Sequence, residues 1–404
     1  MSDEFFYHLA SPSGEGGIAV FELFGPGAAE ALADILRGGN PPGPGRNCLD
    51  SLLDEGEEVL DEVVVGCQPA SSVWCGLEVF TLSVHGGSWL QERTAGRLTG
   101  IGGEGLDRRG VLGYALKLGA IDAVQAAARE LLVNARTDRS ARFFSRQCAG
   151  ELSKILSRCI TLADEPAEAD GLGELETVLR ELVGGAATAR RLGEPLRLLI
   201  AGPANAGKST LFNRFMERER AAVSSQPGTT RDLLRGGVAV FDVPVEVSDS
   251  VGLRQEPGDP VEVEALSRLG EKEADGCLYL LPPPWRLSAR DRDFLAARWD
   301  GKTVVVGNKL DESAGSPPAD AEILLSALTG EGFDSLLDVV AERWLGHSGG
   351  HRGEIYEDPA APFTPAQLDA VEQALSALVK TPGTPLLDEV KRCLIIGLQY
   401  SWPS

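Results

Sequence analysis

The stretch LRLLIAGPANAGKSTLFNRF, residues 196–215, decides the fold class. An apolar run precedes the spacing Gly202-x-x-x-x-Gly207-Lys208-Ser209, and a helical pattern follows it. Glycines at these places let the backbone turn its N–H groups toward phosphate oxygens, and the start of the helix adds positive dipole charge. The lysine reaches the β- and γ-phosphates, and the serine hydroxyl ligates Mg²⁺. The stretch therefore predicts a strand, a phosphate loop and a helix that bind a nucleoside triphosphate.

The base of the nucleotide is specified by two segments further downstream. KTVVVGNKLD, residues 302–311, has a strand pattern and ends at Asp311. A carboxylate there accepts from both N–H groups on the Watson–Crick edge of guanine, a donor pair that adenine does not offer. ILLSALTGEG, residues 323–332, contains Ser326-Ala327, whose backbone is expected to bind the guanine carbonyl oxygen. The predicted guanine-binding residues are Asn308, Lys309, Asp311, Ser326 and Ala327.

Two segments between these motifs are expected to respond to the γ-phosphate. In VSDSVG, Asp249 ends an apolar run and is expected to hold the Mg²⁺ shell, while the Gly252 N–H contacts the phosphate. VSSQPGTTRD, residues 223–232, is typical of a switch segment, in which one threonine completes the Mg²⁺ shell. Thr230 is favoured for this role, with Thr229 as the alternative.

The predicted switch residues are Gly228, Thr229, Thr230, Arg231 and Asp232. The predicted Mg²⁺ ligands are Ser209, Thr230 and Asp249. The predicted phosphate-binding residues are Gly202, Asn205, Ala206, Gly207, Lys208, Ser209, Thr210 and Gly252.

The residue pattern divides the chain into four segments. Near the N-terminus, residues 16–25, 59–67 and 77–87 have the β-branched content and alternation of strands. Residues 120–147 have the periodicity of one long amphipathic helix. Further on, strands alternate with helices, which favours a mostly parallel sheet covered on both faces. We therefore expect an α/β plus α protein with an N-terminal α/β domain and a helical domain interrupted by a P-loop domain. The predicted boundaries are 1–111 for the α/β domain, 112–193 and 348–404 for the helical domain, and 194–347 for the inserted domain.

The composition is that of a soluble globular protein. The 404 residues are 43% hydrophobic, and their apolar runs fall short of the ~18 residues that a membrane-spanning helix needs. The start, MSDEFFYHLA, lacks the basic and apolar regions of a secretory signal, so we expect a cytoplasmic protein. Seven cysteines without C-x-x-C spacing indicate reduced thiols.

The net charge of −22 argues against a protein that coats nucleic acid, because non-specific binding to phosphates needs clustered cations. Any contact with RNA would have to be local. One candidate is the series Arg136, Arg139, Arg142 and Arg146, whose spacing predicts a single helical face. The face is either solvated or a docking stripe for phosphate or an acidic partner.

Several motifs together resemble one family. GPANAGKST, PGTTRD, DSVGLR and NKLD occur in this order inside a predicted helical domain and behind an α/β domain. In this they resemble the tRNA modification GTPase family, MnmE or TrmE. ASPSGEGGIAVFELFGP at residues 10–26, VHGG at 84–87 and ALKLGAIDAVQA at 115–126 are similar to the family's opening, its H-G-G turn and the entry to its helical domain. The resemblance extends over essentially the whole chain.

The resemblance implies an activity and a set of partners. Family members hydrolyse GTP to GDP and phosphate with Mg²⁺, form homodimers through the N-terminal domain and use a 5-formyltetrahydrofolate one-carbon unit. With an FAD-dependent partner of the MnmG or GidA type, they install a carboxymethylaminomethyl-type group on the wobble uridine of tRNA. For this chain the resemblance implies tRNA processing without membrane contact.

The resemblance also assigns roles to individual residues. The family uses K⁺ in place of an arginine finger, held by a phosphate-loop asparagine and by the switch loop. Asn205 matches that asparagine, and Ser224 is the switch-loop residue expected to contact the ion. A family glutamate orients the attacking water; Glu262 matches it best, and Glu264 is the alternative. The catalytic residues implied are Glu262, Asn205 and Lys208.

Two regions depart from the family's pattern. Its folate-binding opening carries two arginines at places where this chain has Glu15 and Glu22. A carboxylate in place of a cation repels a polyanionic cofactor, which puts folate binding in doubt. The family's C-terminal F-C-I-G-K is replaced by LIIGL at residues 394–398, without the cysteine. Two hypotheses follow: a complete tRNA-modifying GTPase, or a GTP-dependent switch or assembly factor of the same architecture that has lost the folate chemistry.

Overall fold

A computed structural model describes residues 4–72, 76–164, 169–219, 234–249, 274–298, 301–312, 320–346, 357–380 and 384–399. The chain folds into two compact units, Met1–Ala126 and Ala127–Ser404. The first unit contains a sheet with helices, and the second contains a mostly parallel sheet together with a group of helices. This confirms the expected fold class. The four predicted domain boundaries are finer than the division into two units and stay predictions.

The first unit is built on a six-stranded sheet in the order β3-β4-β5-β2-β1-β6. Its strands are Phe6–Leu9 (β1), Ile18–Phe24 (β2), Arg46–Leu53 (β3), Val59–Gln68 (β4), Val79–His85 (β5) and Glu104–Gly105 (β6). Its helices are Ala28–Ile35, Ser88–Gly100 and Arg108–Lys117. All neighbouring strands are antiparallel except β1 and β6. The three strands expected from the sequence are confirmed as β2, β4 and β5.

Alternation along β2 buries one face of this sheet. Ala19, Phe21 and Leu23 point into the main core of the unit. On the opposite face, Tyr114 packs against Phe24 of the same strand, with ring centroids 5.7 Å apart. Both faces of the sheet are therefore covered at this strand.

The second unit contains a group of long helices that pack on one another. The helices are Asp138–Cys148, Glu151–Asp164, Ala169–Gly193, Pro365–Lys380 and Thr384–Gln399; the helix Ala123–Val133 lies across the division between the units. The single helix expected over 120–147 is wrong, because the chain leaves helical geometry before Thr137. The Thr137 side chain accepts from the Ser140 N–H and so caps a new helix. Arg136 therefore precedes the helix that carries the other three arginines.

The sheet of the second unit has the order β12-β11-β10-β7-β9-β8. Its strands are Leu196–Ala201 (β7), Leu234–Val240 (β8), Val243–Asp249 (β9), Gly276–Leu281 (β10), Thr303–Gly307 (β11) and Ile323–Leu324 (β12). Three helices follow strands of this sheet along the chain: Lys208–Glu219 after β7, Ala289–Arg298 after β10 and Phe333–Trp344 after β12. All neighbours are parallel except β8 and β9, which form a hairpin. In such a sheet, ligands bind outside the carboxyl ends of the strands. Within the described ranges, no helix combines the length and apolarity needed to cross a membrane.

Candidate guanine-nucleotide site

The phosphate loop follows β7, which lies between β10 and β9 in the sheet. Gly202 has a φ of +140°, and a Cβ on it would lie 2.3 Å from the Leu280 carbonyl oxygen. Gly207 has a φ of +93°, and a Cβ there would lie 2.1 Å from Asn308 Nδ2. Side chains at these two positions would clash with Leu280 of β10 and with the Asn308 side chain, and their backbone would be strained. The loop geometry that the sequence predicted therefore depends on both glycines.

The amine of Lys208 lies inside this loop. Its Nζ donates to the carbonyl oxygens of Gly202, at 2.8 Å, and Pro203, at 2.9 Å. The side chain belongs to the first residue of the helix and is only 5% exposed. A buried ammonium beside a helix N-terminus and backbone N–H groups favours an anion at this position.

The predicted magnesium ligands meet at the same edge of the sheet. Asp249 ends β9 and pairs with Ile200 of β7, the strand that leads into the phosphate loop. The Ser209 hydroxyl donates to Asp249 Oδ2 at 2.8 Å, and Asp249 is fully buried. A hydroxyl and a carboxylate are the oxygen donors that Mg²⁺ prefers. These two residues fit the cation, either as direct ligands or through its bound water.

Asn308 links the phosphate loop to the guanine motif. Its Nδ2 donates to the Ala206 carbonyl oxygen at 2.7 Å, and its Oδ1 accepts from the Ala327 N–H at 2.9 Å. The residue is 2% exposed, and the next residue, Lys309, has a φ of +66°. The amide of Asn308 thus holds two loops together. Contact of the Ala327 N–H with guanine stays a prediction, because here that N–H donates to Asn308.

The carboxylate that is expected to read guanine is oriented by the neighbouring loop. The Ser326 hydroxyl donates to Asp311 Oδ1, and Ser326 also accepts from the Thr329 N–H at 3.1 Å. Lys309 Nζ lies 3.2 Å from Glu312 Oε1. The predicted residues Asn308, Asp311, Ser326 and Ala327 are therefore brought together at one place.

Two residues that the sequence did not single out also contact these loops. Arg214, on the helix after the phosphate loop, donates from Nε to the Ala327 carbonyl oxygen at 3.1 Å. Trp285 donates from Nε1 to the Asn308 carbonyl oxygen at 2.7 Å. The one signal for Trp285 in the sequence was the run of three prolines, residues 282–284, that separates it from the preceding strand.

Two of the remaining predicted residues, Asn205 and Thr210, belong to the phosphate loop and its helix. Asn205 lies in the phosphate loop with a φ of +61°, and it is exposed. Thr210 continues the helix after Ser209. The others lie outside the described residues: Ser224, Gly228, Thr229, Thr230, Arg231, Asp232, Gly252, Glu262 and Glu264.

The arginines of the series differ in environment, because Arg139 is buried whereas Arg142 is exposed. Arg139 is 4% exposed and forms a two-point ion pair with Asp358, with oxygens at 2.6 and 2.8 Å. Arg146 contacts the Asp358 carbonyl oxygen, and Arg142 pairs with Asp138. A solvated face is therefore wrong for Arg139. A docking stripe stays a prediction for Arg142 and Arg146, each of which pairs with an at least partly exposed carboxylate, Asp138 or Glu151.

The opening loop of the first unit packs against its H-G-G turn. The Gly16 N–H donates to the Gly86 carbonyl oxygen at 3.0 Å, and His85 Nδ1 lies 2.7 Å from Asp61 Oδ1. Glu15 in this loop is exposed, and Glu22 on β2 is half-buried. The charged side chain of residues 10–17 is thus the carboxylate of Glu15.

A phosphate loop, a buried aspartate beside its serine, and a guanine motif at the carboxyl edge of a mostly parallel sheet define a P-loop GTPase. A model of the 50S ribosome-binding GTPase family matches residues 197–309, and a model of the GTP-binding protein TrmE N-terminus matches residues 6–103. The protein is accordingly a GTP hydrolase that uses Mg²⁺.

Full-length relatives extend the match to most of the chain. The tRNA modification GTPase MnmE of Methylobacterium sp. is 34% identical over 82% of this chain and 80% of its own length. The corresponding protein of Alkalilimnicola ehrlichii is 32% identical over 85% of this chain and 83% of its own. That of a Thermus thermophilus strain is 33% identical over 96% of this chain and 93% of its own. The chain belongs to the tRNA modification GTPase family MnmE.

Proposed function

We propose that this GTPase couples hydrolysis to tRNA modification; its relatives are named tRNA modification GTPases. The modified base is the wobble uridine, which receives a carboxymethylaminomethyl-type group with the help of an FAD-dependent partner of the MnmG type. The observation that carries the proposal is the assembled guanine site, with Ser209 beside Asp249 and Asn308 joining the two loops. In a chain of this family, a site built in this way hydrolyses GTP.

Reconstitution tests the proposal directly. The protein is mixed with the FAD-dependent partner, GTP, a folate one-carbon donor and tRNA that lacks the modification, and the nucleosides are identified by mass spectrometry. We expect modified wobble uridine with GTP and none with GDP. Lys208→Ala is the matched negative control. Full GTP turnover without any modified uridine would reject the coupling.

We further propose that potassium stimulates the hydrolysis. Asn205 supports this, because it is exposed in the phosphate loop with a left-handed backbone and can reach an ion beside the phosphates. A fixed cation there neutralises charge that develops between the β- and γ-phosphates, a role that is worth ~10³–10⁵ in rate for an arginine finger. Turnover should fall substantially when sodium replaces potassium. Equal rates in the two salts would reject the proposed role of Asn205 and Ser224 as potassium ligands.

The water-orienting residue is proposed to be Glu262, with Glu264 as the competitor. Glu262→Ala is expected to lower turnover while leaving nucleotide affinity nearly unchanged, since the proposed role is to orient the attacking water and not to bind the nucleotide. Glu264→Ala serves as the paired variant. If Glu264→Ala has this effect and Glu262→Ala does not, the roles are exchanged.

A homodimer through the first unit is part of the proposal. Leu49 on β3 and Val64 on β4 face each other in register, and their exposed fractions are 73% and 47%. Two apolar side chains side by side on a sheet are suited to burial against a second copy. Sedimentation should show a dimer that Leu49→Asp weakens. A monomeric wild-type protein at micromolar concentration would contradict this part.

The alternative function is a GTP-dependent switch or assembly factor without folate chemistry. Glu15 and Glu22 favour it, because carboxylates near the opening loop oppose an anionic folate. Calorimetric titration with 5-formyltetrahydrofolate separates the two functions. Binding in the micromolar range supports the modifying enzyme, and the absence of heat in a protein that turns over GTP supports the alternative.

A further inference from the structure

The indole of Trp285 contacts the backbone of the guanine motif at Asn308. Trp285 follows β10 with a φ of +56° and is 2% exposed, in a core with Leu281 and Val305. Its Nε1 donates to the Asn308 carbonyl oxygen at 2.7 Å. A Cβ placed on Gly307, the residue before Asn308, would lie 3.2 Å from the indole ring. The ring is therefore packed tightly against the start of the motif.

This hydrogen bond has a specific consequence for the motif. The Asn308 carbonyl is the last peptide oxygen before Lys309, whose φ is +66°. An anchored carbonyl fixes the orientation of the peptide that enters this left-handed turn and leads to Asp311. Without the indole N–H, a carbonyl buried beside the indole ring would have to find another donor or remain unpaired.

Arg214 contacts the second guanine loop, which contains Ser326 and Ala327. It lies on the helix Lys208–Glu219, which begins in the phosphate loop, and its Nε donates to the Ala327 carbonyl oxygen at 3.1 Å. The same guanidinium contacts the Leu328 carbonyl oxygen. Gly330, with a φ of +88°, lies beside the guanidinium, since a Cβ there would be in ordinary van der Waals contact with the Arg214 Cζ at 3.6 Å. A charged donor thus holds two consecutive carbonyls of the loop.

We propose that Trp285 and Arg214 are positioning residues for guanine recognition. They act through Asn308 and Ala327, and neither belongs to the phosphate loop or the guanine motif itself. With the bond from Asn308 to Ala206, they complete a frame that connects the phosphate loop to both guanine loops. A rigid frame presents the Asp311 carboxylate to the base without further ordering on binding. Loss of the frame should weaken base recognition more than hydrolysis.

The test compares two variants with two controls. Trp285→Phe keeps an aromatic ring and removes the N–H, while Arg214→Gln removes the guanidinium. Trp344→Phe and Arg343→Gln are the controls: the Trp344 ring packs near Gly276, and Arg343 contacts the Thr303 carbonyl and Glu322. These controls change the same residue types in the same unit at places other than the guanine loops.

Three quantities are measured: the dissociation rate of a fluorescent GDP analogue, kcat and KM for GTP, and the preference for GTP over ITP, which lacks the 2-amino group. For each variant we expect GDP to dissociate about tenfold faster, because Trp285→Phe loses a buried hydrogen bond and Arg214→Gln loses the charged donor to two carbonyls. The KM should rise similarly and the preference for GTP should fall, with kcat within about twofold of wild type since the phosphate loop keeps its own bonds.

A merely structural role would lower the melting temperature without changing the preference for GTP over ITP. If GDP dissociation and this preference in Arg214→Gln match those of Arg343→Gln, the proposal is overturned for that residue. The same comparison with Trp344→Phe decides for Trp285. Should Trp285→Phe fail to fold, Arg214→Gln decides the proposal by itself.

Discussion

Ser209 and Asp249 are joined by a hydrogen bond of 2.8 Å that connects the phosphate loop to the end of β9. Because the Asp249 carboxylate is fully buried, its partners determine how it can hold a cation. An oxygen pair fixed in this way is prepared for Mg²⁺ with little rearrangement. The bond therefore joins the two predicted Mg²⁺ ligands, one at the start of the helix Lys208–Glu219 and the other at the end of β9.

Asp249→Asn should weaken magnesium use. The amide keeps the shape but removes the charge and one acceptor, so the Mg²⁺ concentration for half-maximal GTP turnover should rise about 10- to 100-fold. Titration of turnover against Mg²⁺ measures this. Asp242→Asn, in the turn at the other end of the same hairpin, is the control, since its φ of +62° is well tolerated by Asn. Unchanged magnesium dependence in Asp249→Asn would rule out the assignment.

Asp311→Asn should change the base that the protein prefers. Guanine gives two donors to the carboxylate, whereas an asparagine amide offers a donor that suits the 2-carbonyl of xanthine. We expect GTP affinity to fall about 10- to 100-fold, since hydrogen bonds to charged groups are lost. XTP affinity should rise in the same variant. Competition between GTP and XTP for a fluorescent nucleotide measures both, and an equal loss for the two nucleotides would contradict the role of Asp311.

The site could be predicted from the sequence wherever its chemistry depends on residues close together in the chain. Gly202, Gly207, Lys208 and Ser209 lie within eight positions, and steric limits on the loop leave few residues that fit there. The order of strands and helices then follows from periodicity. The parallel sheet and the meeting of Asp249 with Ser209 could therefore be inferred from the residue pattern alone.

Other features depend on partners far away in the chain, and the sequence did not predict them. Arg139 pairs with Asp358, 219 residues later. The spacing of the arginines predicted that they share a helical face, but it could not predict which residues that face contacts. The helix boundary at Thr137 was missed for a related reason, because capping by one threonine outweighed a continuous helical pattern. Trp285 carried no recognisable motif. Its role depends on the carbonyl that it meets in the folded chain.

Breaking the pair of Arg139 and Asp358 should destabilise the second unit. Arg139 also donates from Nη1 to the Phe241 carbonyl oxygen at 2.9 Å, so it joins a helix, the segment at Asp358 and the β8–β9 turn. Removing one partner leaves a buried charge, and Arg139→Ala should lower the free energy of unfolding by about 3 kcal/mol. Arg142→Ala, which loses only an exposed pair with Asp138, should cost at most about 0.5 kcal/mol.

A double-mutant cycle with Asp358→Ala isolates the interaction between the two side chains. Denaturant unfolding of the four proteins should give a coupling of about 1–3 kcal/mol. Additive effects would show that Arg139 contributes through packing and through contacts other than Asp358, such as the Phe241 carbonyl. The same variants should keep GTP turnover, since the bonds that they lose join Arg139 to Asp358 and Phe241 rather than to the phosphate loop.

Cys159 should make stability depend on pH in the alkaline range. Burial raises the pKa of this thiol to about 11 from its ordinary value of 9.0, with Glu174 adding to the rise and Arg158 opposing it. The folded state therefore favours the protonated thiol, and this contribution is fully present below pH 9 and lost as pH rises through about 11. Urea midpoints of the wild type and Cys159→Ala should differ by a constant amount up to about pH 9 and converge toward about pH 11. The constant difference in urea midpoint below pH 9 measures the packing that Cys159→Ala loses and is the internal control. A difference in midpoint that stays unchanged up to pH 11 would show that the thiol does not titrate in this window.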